Sequence, residues 1–257
     1  MGIIVFISGL LFGSFLNVLI YRLPLSISLI NPSRSICPAC KKTIKWYENI
    51  PLISYFILLK GKCSSCKEKI SLSYPAVELI AAVITLLLFL KLGFGFKFFA
   101  ITLLFYTLIV LSFIDIKYKA VPDYLLIAAL LFSYIAMGDE LLNALKNSFL
   151  FAGAIALLEL IVTFYIQNIK AKLLKDDTLK DQRSIGEGDI PVFAVIGAVA
   201  GIQLGFAAVF LSALLAVIPS LIKKDLEIPF IPFLAMGLFF TFIFDQNILN
   251  FLEITNI

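Results

Sequence analysis

Seven apolar runs dominate the sequence, and most are long enough to cross a bilayer. A transmembrane helix needs about 20 mostly apolar residues. The runs are Ile3–Ile20, Ala76–Leu90, Phe98–Ile114, Tyr124–Met137, Asn147–Gln167, Ile190–Ile222 and Ile228–Ile243. Ile190–Ile222 is too long for one ordinary span, and Gly201 and Gly205 supply turn residues that would divide it. We therefore predict an all-α polytopic membrane protein with about eight transmembrane helices.

The composition agrees with this class and restricts the chemistry. Hydrophobic residues make up 61% of the 257 residues and charged residues 15%, against about 45–50% and 25% in soluble domains. The chain contains no histidine, which excludes Ser–His and Cys–His nucleophile pairs, HExxH zinc hydrolysis and imidazole acid–base catalysis. Catalysis would depend on carboxylates, thiolates, amines or hydroxyls.

The distribution of basic residues predicts the orientation. Arg22 follows the first run and no basic segment precedes it, so we expect a retained span rather than a cleaved signal peptide. With eight spans, 18 of the 21 Lys and Arg residues fall on one side, and Lys91, Lys97 and Lys146 fall on the other. The positive-inside rule places the basic side in the cytosol. We expect a first transmembrane helix over residues 1–20, a cytosolic loop domain over 21–75 and a membrane-embedded domain over 76–257.

All four cysteines lie between the first two runs, as Cys37, Cys40, Cys63 and Cys66. Two C-x-x-C turns can aim four thiolates at one tetrahedral site, and the 22 residues between them approximate the spacing of a zinc ribbon. The reducing cytosol disfavours disulfides, while a redox-active pair and unligated thiols stay open as alternatives. We predict a structural Zn²⁺ site. The loop has few apolar residues beyond Ile50–Leu59, and so small a domain needs a cross-link such as a bound metal ion.

Two aspartates lie at predicted cytosolic ends of spans. Asp115 ends the third span, and Asp189 opens the sixth. Because both lie at the same face, they can meet although they are 74 positions apart. Two carboxylates that share a proton can activate water for attack on a peptide carbonyl. The alternative is that both are ordinary helix-end residues, with Asp189 as an N-cap and Asp115 paired with Lys117 or Lys119.

Other residues near these aspartates have supporting or uncertain roles. Gly186 and Gly188 would let the backbone approach a partner helix closely. Asp123 is expected first as an N-cap of the fourth span, and Glu78 as a favourable charge at the start of the second. Glu159 lies in the middle of a span, where a carboxylate needs a partner or a proton.

Several separate motifs occur together in a familiar order. They are Gly9–Pro24, Ser35–Cys40, Trp46–Tyr55, Gly61–Cys66, Ser73–Leu79, Asp115–Asp123, Gly186–Asp189 and Pro229–Ala235. On these motifs the chain resembles, over nearly its whole length, the type IV prepilin leader peptidase and N-methyltransferase family, the GxGD class of membrane aspartic peptidases. Where many members have a lysine two residues after the GxGD motif, this chain has Pro191.

The resemblance implies a reaction, its site and its partners. Such enzymes remove the short basic leader of type IV prepilins and pseudopilins at the cytosolic face of the bacterial inner membrane. They then methylate the new N-terminal amine with S-adenosylmethionine, in pilus assembly or type II secretion. Asp115 and Asp189 would be the catalytic pair, and the four cysteines would hold the metal. We expect prepilins and the lipid bilayer as partners, and no nucleic acid.

Two readings from other classes stay open. A transporter could use the boundary carboxylates and Glu159 to relay protons or cations. A non-enzymatic scaffold could use the cysteine loop to dock a cytosolic partner. The chain has no Rossmann-type glycine fingerprint, so the sequence does not locate a site for the methyl donor.

Overall fold

The computed structural model describes residues 1–30, 34–174, 186–222 and 228–254. Its α-helices are α1 Gly2–Arg22, α2 Ser73–Leu92, α3 Phe96–Tyr118, α4 Asp123–Met137, α5 Leu141–Phe164, α6 Ala171–Leu174, α7 Asp189–Ile222, α8 Ile231–Ile243 and α9 Asp245–Ile254. Within those ranges the only pairings of β type are two isolated bridges. The all-α prediction is therefore confirmed. The segments 175–185 and 223–227, which hold five of the 18 basic residues counted on the cytosolic side, lie outside the described residues.

The helices are apolar enough for a multi-pass membrane protein. Five described helical stretches are long and apolar enough to cross a membrane, and there are six if α8 and the start of α9, bent by 82°, count as one span. This number is lower than the eight predicted because Asp123–Lys170 and Asp189–Leu221 each count once. Each contains two predicted spans: α4 and α5 are separate helices joined by the turn Gly138–Glu140, and α7 is interrupted at Gly201.

The chain forms two compact units, Met1–Pro122 and Asp123–Ile257. In the first unit, α1 packs against α2 through two glycines that lie one turn apart. A Cβ atom on Gly13 would lie 2.7 Å from Cα of Glu78, and one on Gly9 would lie 2.6 Å from Cα of Ala82. Small residues let helix backbones approach closely inside a membrane. The glycines therefore fix the register of α1 against α2.

Helix α3 supplies much of the buried core of the first unit. Its large apolar side chains are almost fully buried, among them Leu104, Phe105 and Leu108, and it packs against both α1 and α2. The hydroxyls of Thr85 on α2 and Tyr106 on α3 form a 2.6 Å hydrogen bond. The Thr85 hydroxyl also donates to the carbonyl of Ala81 at 2.6 Å, so it accepts from Tyr106 and satisfies a phenol that lies in an apolar layer.

Arg22 closes the C-terminal end of α1. Its guanidinium donates hydrogen bonds to the carbonyls of Ser28, Leu29 and Arg34 at 2.9–3.1 Å. The side chain is buried, so the planar fork of donors folds the following chain back over the helix end. One helical turn earlier, Asn17 Nδ2 donates to the carbonyl of Tyr74 at 3.0 Å and joins α1 to the start of α2.

In the second unit, α7 packs against α4, α5 and α8. The backbone of Gly201 is non-helical, with φ 69° and ψ −165°. A residue with a side chain is strained at such a φ, whereas glycine is not. The predicted division of the long apolar run at this position is therefore confirmed as a kink within one helical stretch. The hydroxyls of Tyr134 and Ser148 join α4 to α5 at 2.7 Å.

Candidate metal centre and catalytic residues

The two C-x-x-C turns, which we call the first and second knuckles, have the same backbone fold repeated 26 residues apart. In the first, the N–H of Lys41 donates to the carbonyl of Cys37 and that of Ile44 to Ser35. In the second, Lys67 donates to Cys63 and Ile70 to Gly61. Lys41 and Lys67 both have a left-handed backbone, with φ near 60°. The sequence repeats only the cysteines, one lysine and one isoleucine, yet the local structure repeats throughout.

The knuckles bring the four predicted ligands together. The sulfur atoms of Cys37, Cys40, Cys63 and Cys66 all lie within 4.8 Å of one another, and those of Cys37 and Cys66 are 3.9 Å apart. Tetrahedral Zn²⁺ with bonds of about 2.3 Å requires sulfur atoms about 3.8 Å apart. The donor set therefore fits a metal ion with four thiolate ligands, and the cluster predicted from the spacing is confirmed.

In the second knuckle, backbone N–H groups favour the thiolate form of one cysteine. The backbone N–H groups of Cys66 and Ser65 donate to the sulfur of Cys63 and lower the pKa of its thiol to about 7. For Cys66 the N–H of Glu68 acts in the same direction, but partial desolvation and the neighbouring thiols outweigh it and raise the pKa to about 11. Without a metal, negative charge therefore concentrates on Cys63, because four adjacent thiolates would repel one another.

Glu78 has a different role from the one the sequence suggests. Helix α2 has Leu72 as its N-cap and no side-chain capping bond. Instead, Oε2 of Glu78 accepts a 2.9 Å hydrogen bond from the backbone N–H of Leu52, and the hydroxyl of Ser14 bonds the same carboxylate. The Glu78 carboxylate, which was expected to favour the start of α2, therefore links the cysteine loop, α1 and α2 by hydrogen bonds.

A cavity of about 900 Å³ lies between the knuckles and the adjacent ends of the first three helices. Its wall combines apolar residues such as Val77 with polar ones such as Asn17, Tyr21 and Glu48. Ligand pockets commonly have volumes of about 300–1,000 Å³ and a few convergent polar groups. The cavity was not predicted from the sequence, although Asn17, a polar residue within an apolar run, was a signal for it.

Asp115 lies in the last turn of α3 and is buried. Helix α3 ends at Lys119, whose left-handed backbone, with φ 52°, lets its N–H donate to the Asp115 carbonyl at 2.9 Å. The ammonium of Lys117 lies over the rings of Tyr118 and Tyr21, 4.9 and 5.8 Å from their centroids. Asp115 is thus a carboxylate held inside the protein at a helix end.

Asp189 is the first residue of α7 and is partly buried. Its N–H donates to the carbonyl of Gly186 at 3.0 Å, forming a tight turn. A Cβ atom on Gly186 would lie 3.2 Å from Oδ2 of Asp189, so a glycine keeps this carboxylate accessible. Pro191 occupies the first turn of α7, where a proline costs no helical hydrogen bond. Pro191, at the position where many similar proteins have a lysine, is therefore compatible with the helix.

The remaining candidates, Asp123, Glu159 and Gly188, all lie in the second unit. Asp123 is the first residue of α4 and is exposed, while Glu159 is partly buried within α5. Gly188 lies in the turn before α7 with the exposed Glu187. Asp115 belongs to the first unit and Asp189 to the second, so their pairing stays a prediction from the sequence.

Two family profiles match the chain. Residues 7–92 match the Bacterial Peptidase A24 N-terminal domain, and residues 102–221 match the Type IV leader peptidase family. The first range contains all four cysteines, and the second contains Asp115 and Asp189.

Curated relatives match over most of their length. Proteins named prepilin leader peptidase/N-methyltransferase are 33% identical in Bacillus subtilis (strain 168), over 96% of each chain, and 32% identical in Pseudomonas aeruginosa, over 89% of this chain and 85% of the relative. The Vibrio cholerae protein of the same name is 33% identical over 82% of each chain. No solved structure gives a significant match. With these relatives and both profiles in agreement, the chain belongs to the type IV leader peptidase family.

Proposed function

We propose that this protein removes the leader peptide of prepilins and pseudopilins and then methylates the new N-terminal amine. The observation that carries the proposal is the match over nearly the whole chain to relatives named prepilin leader peptidase/N-methyltransferase. The apolar helices place the reaction at a membrane. The basic loops favour the cytosolic face of the inner membrane.

Cleavage is assigned to Asp115 and Asp189 as a pair that shares one proton. One carboxylate accepts a proton from water while the water oxygen attacks the scissile carbonyl carbon, and the other gives its proton to the carbonyl oxygen. The tetrahedral intermediate then collapses, the C–N bond breaks, and the leaving nitrogen takes up a proton. One water is consumed for each bond cleaved. The burial of Asp115 supports this assignment, because an acidic residue kept inside a membrane protein is a functional candidate by default.

We assign Zn²⁺ to the four cysteines as a structural ion. The sulfur distances fit tetrahedral coordination, and a site closed by four thiolates leaves no position for substrate. The ion would supply a cross-link between the two knuckles. The knuckles' own N–H groups would stabilise the thiolates, as they already do at Cys63.

The cavity of the first unit is our candidate site for S-adenosylmethionine. Its volume of about 900 Å³ exceeds what one such molecule needs. The Tyr21 ring, which forms part of its wall, already faces the ammonium of Lys117, and aromatic faces attract cationic groups such as a sulfonium. Glu48 would offer a carboxylate to the amine of the methyl donor.

Cleavage is tested with membranes that carry wild type, Asp115→Asn or Asp189→Asn and are incubated with a prepilin. We expect leader removal by the wild type and none by either variant. Asp139→Asn is the matched control, because Asp139 is an exposed aspartate in the turn after α4 and should leave cleavage unchanged. Normal cleavage by either catalytic variant would refute the aspartate-pair mechanism.

The knuckle repeat provides a matched pair for the methyl-donor site. Ala39 lines the cavity, whereas Ser65, its equivalent in the second knuckle, does not. We expect Ala39→Trp to weaken binding of S-adenosylmethionine in calorimetry, and Ser65→Trp to leave it unchanged. Leader cleavage by both variants would report that they fold. Equal binding by the two variants would exclude the cavity.

A further inference from the structure

The segment between the knuckles, residues 45–60, exposes an unusual amount of apolar surface. Trp46, Ile53, Phe56, Ile57 and Leu58 are between 49% and 78% exposed. The segment consists of a short 3₁₀ turn, Trp46–Asn49, and a π-helical turn, Ser54–Leu58. The apolar run noted in the sequence therefore does not form a core for the loop domain, because four of its large side chains, Ile53, Phe56, Ile57 and Leu58, are exposed.

The hydrogen bond between Leu52 and Glu78 determines how far this segment reaches along the membrane-spanning helix α2. Leu52 bonds to Glu78, which lies five residues into α2, or about 7.5 Å along the helix axis at 1.5 Å per residue. The next residues of α2, Leu79 and Ile80, are exposed apolar side chains of a membrane span. The loop therefore reaches the level of the bilayer rather than lying above it.

The charges around the segment suit an anionic surface. Lys45 and Lys60 bound it, and residues 34–72 contain eight basic and two acidic side chains. Lysines beside an apolar face with a tryptophan are typical of segments that lie in a lipid interface, with the apolar side buried by about 5–10 Å. Glu78, to which Leu52 is bonded, lies about 7.5 Å along α2, at 1.5 Å per residue, and this distance falls in that range.

We propose that residues 45–60 are embedded in the cytosolic leaflet and bind its anionic phospholipids. The side chains of Ile53, Phe56, Ile57 and Leu58 enter the boundary between headgroups and acyl chains. The lysines at both ends contact the phosphates. The zinc module is then held against the membrane surface at a third point, besides its links to α1 and α2. This anchoring is independent of the proposed peptidase and methyltransferase activities.

The protein contains its own reporter, since Trp46 is its one tryptophan. The full chain is reconstituted in nanodiscs of phosphatidylglycerol and phosphatidylcholine, with or without bromine atoms near the top of the acyl chains. We expect brominated lipid to quench Trp46 strongly and aqueous iodide to quench it weakly. Strong iodide quenching without lipid quenching would show an exposed segment and overturn the proposal. Protection from both quenchers would indicate cover by protein, such as a second copy of the chain, and would also overturn it.

Two further variants make the test specific. Trp46→Phe combined with Phe56→Trp moves the reporter into the π-helical turn and should keep the lipid quenching. Trp46→Phe combined with Ser65→Trp moves it to the exposed second knuckle and should lose it. Replacing Lys45, Lys60 and Lys62 by glutamine should reduce the lipid quenching of Trp46 in nanodiscs that contain phosphatidylglycerol. In nanodiscs of phosphatidylcholine alone the quenching should not change. An unchanged signal in that variant would overturn the anionic part of the proposal.

Discussion

The backbone N–H of Leu52 donates a 2.9 Å hydrogen bond to Oε2 of Glu78 and so ties the cysteine loop to a transmembrane helix. Leu52 has a positive φ of 59°, a conformation that a leucine keeps only where surrounding contacts hold it. Glu78 is buried, so neither partner can exchange this bond freely for water. This hydrogen bond therefore contributes to the position of the loop.

Replacement of Glu78 tests this contribution. Glu78→Ala leaves the Leu52 N–H without its acceptor, which we expect to cost about 1–3 kcal/mol of stability. Hydrogen exchange at residues 50–59 should become faster, as measured by mass spectrometry of the protein in nanodiscs. Glu78→Gln keeps a carbonyl acceptor and should have a smaller effect. Equal effects of the two changes would show that the hydrogen bond does not hold the loop.

Two Gly→Ala changes should have opposite effects on stability, because only one of them lies at the contact between α1 and α2. Gly13→Ala places a Cβ atom 2.7 Å from the Glu78 backbone, and such overpacking typically costs about 1–3 kcal/mol. Gly153→Ala, within α5, meets nothing within 4 Å and should gain about 0.5–1 kcal/mol from helix propensity. Thermal unfolding in detergent should therefore shift in opposite directions. A shift in the same direction for both would contradict the close approach.

The metal assignment predicts the zinc content of purified protein. Elemental analysis should find one Zn²⁺ per wild-type chain, and a variant with Cys37, Cys40, Cys63 and Cys66 changed to serine should contain none. Ser65→Ala changes a non-ligand within the second knuckle and should retain the metal. Unchanged zinc in the serine variant would refute the assignment.

Removal of the metal should reveal unequal thiols. The pKa of Cys63 is about 7 and that of Cys66 about 11, and only the thiolate form reacts with alkylating agents. As pH rises from 6 to 8, Cys63 passes through its pKa, so its reaction with iodoacetamide should increase and then level off. Cys66 should stay protonated and react slowly over that range. Mass spectrometry of chelator-treated protein measures both rates, and equal rates would contradict the N–H bonds to Cys63.

Sequence reasoning found the features that depend on local pattern. The apolar runs predict helices because their length matches a bilayer, and the kink at Gly201 follows from glycine alone. The cysteine spacing predicts the sulfur cluster, since each knuckle is a local turn. The separate helices α4 and α5 were also expected from their runs.

The features that were not predicted depend on hydrogen bonds between distant segments. Glu78 was expected to favour its own helix start, because the sequence does not show that Leu52 would present an N–H to it. The sequence showed the apolar run in the loop but not its exposure, which depends on how the loop is tied to Glu78. The cavity was not predicted because its walls come from three helices and both knuckles.

Arg22 has one role while the chain inserts and another once it has folded. In the proposed topology its positive charge helps retain the first loop in the cytosol during insertion. In the folded protein the same guanidinium is buried against three backbone carbonyls and contributes little to the surface charge. A lysine would preserve the signal for topology but not the three-carbonyl clamp. Biogenesis and folding can therefore be separated at this position by a substitution that conserves charge.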